Sequence, residues 1–353
     1  MKSDASGPIN TALLSFGMSG WVFHAPFVAE NPSFNFYGVW ERTKNAAQAA
    51  YPGVKTFRTL EDLLADEAIE LVVVNTPNLT HYQYALAALR AGKHVVVEKP
   101  FTVTVREGEE LIALAKEKDL FISVYHNRRF DSDFKAVKKV VSEGLLGELS
   151  DVEIHYDRFK PELSPKIHKE LPHKGTGALY DLGSHLIDQA LQLFGMPDSL
   201  FADMQKVRPG SVVDDYFEVL LYYPRFRVRL KSNYLVREPL PAYILHGAKG
   251  SFIKAKTDVQ ETALQAGQKP GSADWGREPE EERGLLHTES PDGRVTRELT
   301  RAPNGNYADY YKGIFAAIRE GAPLPVTAEE GLQVIRIIEA AFQSNEEQRV
   351  VLL

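Results

Sequence analysis

The stretch Val95-Val96-Val97-Glu98-Lys99-Pro100 decides how this chain is read. Three consecutive valines, apolar on both faces, predict a strand buried inside a parallel sheet. The lysine that follows stands at the carboxyl end of that strand, where open α/β sheets bind their ligands. A lysine there is costly unless it meets a charge, a ligand or water, and the proline after it keeps the backbone extended. Neighbours in a strand point to opposite faces, so Glu98 is not the natural ion-pair partner of Lys99. The pattern points to a functional lysine.

Outward from this strand, Ile9 to Phe16, Phe34 to Trp40, Leu71 to Asn75 and Leu120 to Tyr125 also read as strands. Helical spacing fills the intervals: a helix from about Trp21, Thr80 to Ala91 stopping at Gly92, and Thr104 to Lys118. Such β-α alternation predicts a doubly wound parallel sheet over residues 1–127. After about Arg128 the texture changes. A connecting helix, Phe134 to Glu143, leads into mostly alternating strands at Leu149 to Lys160, Tyr216 to Tyr223, Arg225 to Asn233, Tyr243 to Gly247 and Ser251 to Ala255. These predict a second, α+β domain over 128–353, built on a large, mainly antiparallel sheet open to solvent on one face. One long helix, Ala178 to Phe194, interrupts it. Gln265 to Glu282 reads as a surface loop, with a lid as the other reading. Tyr307 to Arg319 and Ala328 to Ser344 read as closing helices, the last placed to pack back on the first domain.

Composition narrows the function. At 353 residues the chain exceeds what one core organises, and a net charge of −7 without a basic run argues against nucleic acid. The absence of cysteine excludes disulfides, thiol nucleophiles and thiolate metal sites, and it fits a reducing cytosol. Met1 to Asn10 lacks a signal pattern, and no apolar run approaches the ~20 residues of a membrane span. The expectation is a cytoplasmic protein with neither nucleic acid nor membrane as partner.

Five places carry chemistry. Ser15-Phe16-Gly17-Met18-Ser19-Gly20 lies between the first strand and first helix, where glycines let backbone N–H groups approach a pyrophosphate; Ser15 replaces the first glycine of that fingerprint. The second strand ends in Glu41-Arg42-Thr43-Lys44, which offers both an acidic residue for the ribose hydroxyls of NAD and an arginine for the 2′-phosphate of NADP. Thr76-Pro77-Asn78 ends the central strand beside the expected cofactor, although Asn78 also suits a helix cap, and His81 follows one turn later. Glu98 and Lys99 end the next strand. The fifth is Gly177-Ala178-Leu179-Tyr180-Asp181-Leu182-Gly183-Ser184-His185, in which Asp181, His185 and Asp188 fall at i, i+4 and i+7 as one polar stripe on a buried helix. A metal is one candidate for the stripe, but a third ligand is not evident and a nearby lysine would be repelled, so no metal is expected. Asn127 and Arg128 could reach a nicotinamide or substrate hydroxyls. Tyr156, Arg158, His168, Lys174 and Tyr307 are weaker candidates for holding a polyhydroxylated substrate.

Taken together, Ser15-x-Gly17-x-x-Gly20, Glu98-Lys99-Pro100 and Gly177 to His185 resemble the glucose–fructose oxidoreductase/inositol dehydrogenase (Gfo/Idh/MocA) family over essentially the whole chain. Ser123-Val124-Tyr125-His126-Asn127-Arg128-Arg129 and Leu324 to Gly331 are most similar to its NADP-dependent scyllo-inositol dehydrogenases. The resemblance implies an N-terminal Rossmann domain and a C-terminal domain whose sheet mediates homodimers or homotetramers. It implies a cofactor close to Lys99, substrate bound between the domains, and catalytic roles for Lys99, Asp181 and His185. The implied reaction is hydride transfer between NADP, with NAD as the alternative, and a secondary alcohol of a cyclic polyol or sugar such as scyllo-inositol. Gly17, Met18, Ser19, Gly20, Glu41, Arg42, Thr76, Pro77, Asn78, His81, Glu98, Lys99 and Asn127 are then the expected cofactor contacts. Lys99, Asn127, Arg158, Asp181 and His185 are the expected substrate contacts. A dinucleotide-binding sensor without turnover is the rival reading.

Overall fold

The computed structural model describes residues 7–290 and 292–353; residues 1–6, part of the polar start considered above, lie outside the described residues. The chain divides into two compact units. The first comprises Met1–Asn127, Gln260–Trp275 and Asn306–Leu332; the second comprises Arg128–Val259, Gly276–Gly305 and Gln333–Leu353.

The first unit is a doubly wound sheet. Strands β1 (Ile9–Leu13), β2 (Phe34–Trp40), β3 (Lys55–Phe57), β4 (Leu71–Val74), β5 (His94–Glu98) and β6 (Ile122–Tyr125) are all parallel, in the order β3-β2-β1-β4-β5-β6. The order reverses between β1 and β4, and ligands bind such sheets at that switch point. Val72, Val73, Val74, Val96 and Val97 are fully buried, each contributing ~1.5–3 kcal/mol, which is why the all-apolar runs fall at the sheet's centre. Thr104 starts the helix Val105–Glu117 with a capping box: its hydroxyl accepts from the Glu107 N–H while the Glu107 carboxylate accepts from the Thr104 N–H. Strand β3 went unpredicted because it is three residues long, with Lys55 exposed. Segment 306–332 completes this unit from far along the chain. The Ser123 hydroxyl meets Tyr310 Oη at 2.7 Å and donates to the Val326 carbonyl at 2.6 Å.

The second unit holds nine strands: β7 (Leu149–His155), β8 (Ser199–Gln205), β9 (Tyr216–Tyr222), β10 (Arg227–Asn233), β11 (Tyr243–Gly247), β12 (Gly250–Lys254), β13 (Gly284–Glu289), β14 (Val295–Thr300) and β15 (Val351–Leu352). Their order is β14-β13-β12-β11-β7-β10-β9-β8-β15, antiparallel except for β7 beside β10. Strict burial alternation along β9 and β10 gives the sheet one buried face. Strands β8, β13, β14 and β15 were missed; β14 lies at an edge and has no buried residue to mark a period. The expected loop after Gln265 is anchored rather than structureless. Its first part belongs to the first unit, where Trp275 is buried and its indole N–H donates to Gln260 Oε1; in the second unit, buried Glu278 pairs with the buried Lys254 ammonium at 2.9 Å.

Candidate active site

In the first unit the carboxyl ends of β1, β4 and β5 lie side by side, through the pairs Leu13–Val73 and Val74–Val97. The turn leaving β1 is closed by Ser15, whose hydroxyl accepts from the Gly17 N–H at 3.1 Å, so this serine replaces a glycine by supplying the turn's own hydrogen bond. The Asn75 amide donates to the Ser15 carbonyl at 2.8 Å. A Cβ on Gly20 would lie 2.3 Å from that carbonyl and 3.0 Å from Asn75 Nδ2, so only glycine fits. Asn75 Oδ1 is buried with no hydrogen-bond partner. A glycine-lined turn opening a helix, with an unused buried acceptor beside it, fits the backbone approach and the donors of a dinucleotide. Sequence reading missed Asn75, although its place at the end of the central strand was the available signal.

Glu98 is taken up by this turn instead of pointing outward as a ligand. Its Oε1 receives Ser19 Oγ–H at 2.5 Å and lies 3.0 Å from His24 Nε2, and its Oε2 receives the Lys99 backbone N–H at 3.1 Å. Burial pushes this carboxyl up, but the hydrogen bond and charge of His24, then Ser19 and Lys99, outweigh it and hold the pKa at about 2. A π-helical turn, Gly20–His24, sets the His24 ring inward, where Nδ1 meets Tyr311 Oη at 2.6 Å. The braced Glu98 leaves Lys99, half-buried at the end of β5, as the adjoining cation.

Two further expected cofactor contacts are corrected. The Glu41 carboxylate turns inward and accepts from the backbone N–H groups of Ala46 and Ala47, at 3.2 and 3.0 Å, at the start of the helix Ala46–Ala50. A helix N-terminus favours a carboxylate, and with both oxygens so engaged Glu41 is not free to hold a ribose. Arg42, Thr43 and Lys44 stay exposed at the end of β2. His81, the other, has both ring nitrogens engaged by backbone carbonyls. It is buried, with Nδ1 2.8 Å from the Pro100 carbonyl and Nε2 2.9 Å from the Thr76 carbonyl, and burial lowers its pKa. Thr76 meets Thr80 through their hydroxyls at 2.7 Å; Pro77 and Met18 are exposed and Asn127 is buried. Asn78 starts a 3₁₀ turn, not a capped α-helix, with Oδ1 accepting from the Leu79 N–H.

In the second unit the expected polar stripe separates. A π-helical turn, Leu179–Gly183, precedes the helix Ser184–Phe194 and breaks the assumed 3.6-residue period. Asp181, half-exposed, pairs with Lys169 at 3.0 Å. Asp188 is buried and pairs with Arg129, Nη2 to Oδ1 at 2.5 Å, so it is a structural partner. His185 is buried, its ring 6.3 Å from that of Tyr156. The turn's start is fixed by Asp214, which sequence reading did not single out. Its carboxylate accepts from the Leu179 N–H at 2.8 Å and its carbonyl from the Ala178 N–H at 2.8 Å. Burial pushes the Asp214 pKa up to about 6. Gly177 has φ +97°, and a Cβ there would sit 1.9 Å from Asp214 Oδ1.

Around Tyr156 stand three cations. Lys256 Nζ lies 4.7 Å and the Arg158 guanidinium 5.0 Å from its ring centre, and Arg158 Nη2 donates to its hydroxyl at 3.4 Å. Burial raises the phenol, but Arg128, Lys256 and Arg158 together overcome that and bring its pKa down to about 8. His168 and Lys174 are exposed. Tyr307 belongs to the first unit's core, packed edge-on against Phe23 and Phe27, and is no substrate contact.

A doubly wound sheet with a glycine turn at its switch point and a lysine beside it fits a nicotinamide-dinucleotide oxidoreductase. The chain matches the family's NAD-binding Rossmann fold over residues 9–126 and its C-terminal α/β domain over residues 138–353. It therefore belongs to the Gfo/Idh/MocA oxidoreductase family. It is 42% identical to scyllo-inositol 2-dehydrogenase (NADP(+)) IolW of Bacillus subtilis, covering 98% of this chain and 96% of that protein. It is 39% identical to the Escherichia coli oxidoreductase YdgJ over 99% of each. Among solved structures, an oxidoreductase of Bacteroides fragilis superposes with a TM-score of 0.90 at 47% identity, covering 98% of this chain and 100% of that one. No helix among the described residues is long and apolar enough to cross a membrane.

Proposed function

We propose that this oxidoreductase transfers a hydride between NADP(H) and a secondary alcohol or ketone of a cyclic polyol, with scyllo-inositol and its ketone as the pair. The inward Glu41 carries the cofactor half of this reading. With that carboxylate spent on the amides of Ala46 and Ala47, the exposed end of β2 presents Arg42, Thr43 and Lys44 without a competing acid, a set suited to a 2′-phosphate. The substrate half is supported by the relative named for that reaction.

Gly17, Ser19, Gly20 and Asn75 would hold the dinucleotide's pyrophosphate side and Arg42 its phosphate; when bound, the nicotinamide supplies the hydride acceptor or donor. His185 takes the hydroxyl proton as general base, and Lys99 stabilises the negative charge that develops as the alcohol is oxidised. Asp181, held by Lys169, orients the substrate hydroxyls. In reduction His185 donates the proton. We further infer assembly as a homodimer or homotetramer in the cytoplasm. Initial rates of nicotinamide absorbance change with scyllo-inositol, myo-inositol and glucose, each against NADP and NAD, test the reading. Turnover of scyllo-inositol with NADP and little with NAD is expected; turnover with NAD alone, or with none of the polyols, refutes it.

A further inference from the structure

We propose that Tyr156 and His185 form a proton-holding pair in the second unit, set among Arg128, Arg158 and Lys256, and that Tyr156 relays the proton exchanged with the substrate hydroxyl. The relay rests on the polyol oxidoreductase reading above; the pair itself does not.

The geometry is specific to this tyrosine. Three elements around it bring a positive charge: Arg128 comes from the turn after β6, Arg158 from the chain leaving β7 and Lys256 from the chain leaving β12. The His185 ring comes from the helix after the π turn. The acids nearby are largely engaged by other cations. Arg128 pairs with Asp258 and with Asp131 at 3.4 Å, and Asp181 pairs with Lys169. Lys256 is 3.9 Å from Asp131, and Arg158 forms no ion pair among the described residues. The phenol oxygen is thus the acceptor on which Arg158 converges, in a chain whose overall charge is −7.

Other tyrosines behave oppositely. Burial pushes Tyr216 up to about 12 and also raises Tyr51, Tyr223, Tyr234, Tyr243 and Tyr311. Tyr156 is instead drawn down, to about 8. A phenol near that value is matched to proton transfer at slightly alkaline pH. In oxidation a bound oxidised nicotinamide would supply the two-electron acceptor for the alcohol's C–H hydrogen and its electron pair. The O–H proton passes to the His185 imidazole, then to the Tyr156 phenolate, and from the phenol to water, leaving the ketone. Reduction runs the same transfers backwards.

Phenolate absorbance at ~295 nm, titrated on the full chain, isolates the group because a phenol's ordinary pKa is near 10. The parent is expected to develop one tyrosine's worth of absorbance with a midpoint near pH 8. Tyr156→Phe should lose it with unchanged circular dichroism, and Lys256→Met, which keeps the phenol, should move the midpoint up by about one unit. The His185 imidazole resonances should titrate differently in Tyr156→Phe. In rate profiles the parent's oxidation rate should rise through the same midpoint, and Tyr156→Phe should lose that limb while keeping residual turnover. An absorbance curve flat below pH ~9.5, or identical in parent and Tyr156→Phe, overturns the pair. A rate limb retained in Tyr156→Phe overturns the relay. If no polyol is turned over, the activity reading fails by itself, and the optical titration still decides the pair.

Discussion

Replacing Glu98 by glutamine tests how the first unit assembles its site. The carboxyl is held at about 2 against an ordinary value of 4.5, and its side chain is 13% exposed. That difference corresponds to about 3 kcal/mol of stability. Because the folded pKa is depressed, this contribution is complete above the unfolded value near 4.5 and is lost as pH falls through about 2. An amide cannot replace the carboxylate. Oε1 receives Ser19 and faces His24 Nε2, and Oε2 receives the Lys99 N–H, so either amide orientation sets an N–H₂ against a donor. Glu98→Gln is therefore expected to cost about 2–3 kcal/mol at pH 7. The assay is direct because the chain's three tryptophans, Trp21, Trp40 and Trp275, all lie in the first unit. In urea, with a slope of roughly 2–3 kcal/mol per molar, the fluorescence midpoint should fall by about 1 M. Near pH 2.5 the gap between parent and variant should shrink. A midpoint change below about 0.2 M at pH 7 would show that the Ser19–Glu98–His24 network does not hold this turn in place.

Arg42→Ala should weaken NADP binding by about tenfold or more, the value of a charge-assisted contact, while leaving NAD within a few-fold; equal losses for both cofactors, read by calorimetry, would sink the assignment. Lys99→Ala and His185→Ala should each lower kcat/KM by ~100-fold or more, with NADP affinity nearly unchanged in His185→Ala. Gly177→Ala combines a positive φ with a collision against Asp214 and should destabilise the second unit by ~2–3 kcal/mol, seen in thermal melts. The Asp214 carboxyl is raised to about 6, so the parent should lose stability as pH rises from ~4 through 6; Asp214→Asn should flatten that slope, and an unchanged slope would reject Asp214 as its source.

Much of this was legible in the sequence because it is local. The Val95–Val97 run, the Gly17–Gly20 turn and the glycine-rich approach to His185 each declare their surroundings within a few residues. Strand β2 was located to the residue for the same reason. What escaped depends on distant partners or on a broken period. Nothing in Val39-Trp40-Glu41-Arg42 says that Glu41 folds back onto Ala46 and Ala47. The stripe of Asp181, His185 and Asp188 assumed 3.6 residues per turn, and the π-helical turn gave each residue a different neighbour. Tyr156 draws its cations from positions 128, 158 and 256, brought together only by the fold. Strands β13 and β14 pair with each other along a mostly exposed edge, where no apolar alternation marks them.

The contact between Ser123 and Tyr310 spans 187 residues of chain. On a ribosome adding ~5–20 residues per second, the last strand of the parallel sheet would wait on the order of 10–40 s for that partner. Tyr125, which is fully buried and packs 4.8 Å from the Tyr310 ring, would meanwhile lack its cover. A nascent chain stalled after Asn127 should accordingly expose apolar surface to chaperones, and residues 1–127 produced alone would be a poor module for grafting or recombination. Exchange of cofactor specificity between relatives is better sought at the loop after β2, whose residues all arrive within one early segment.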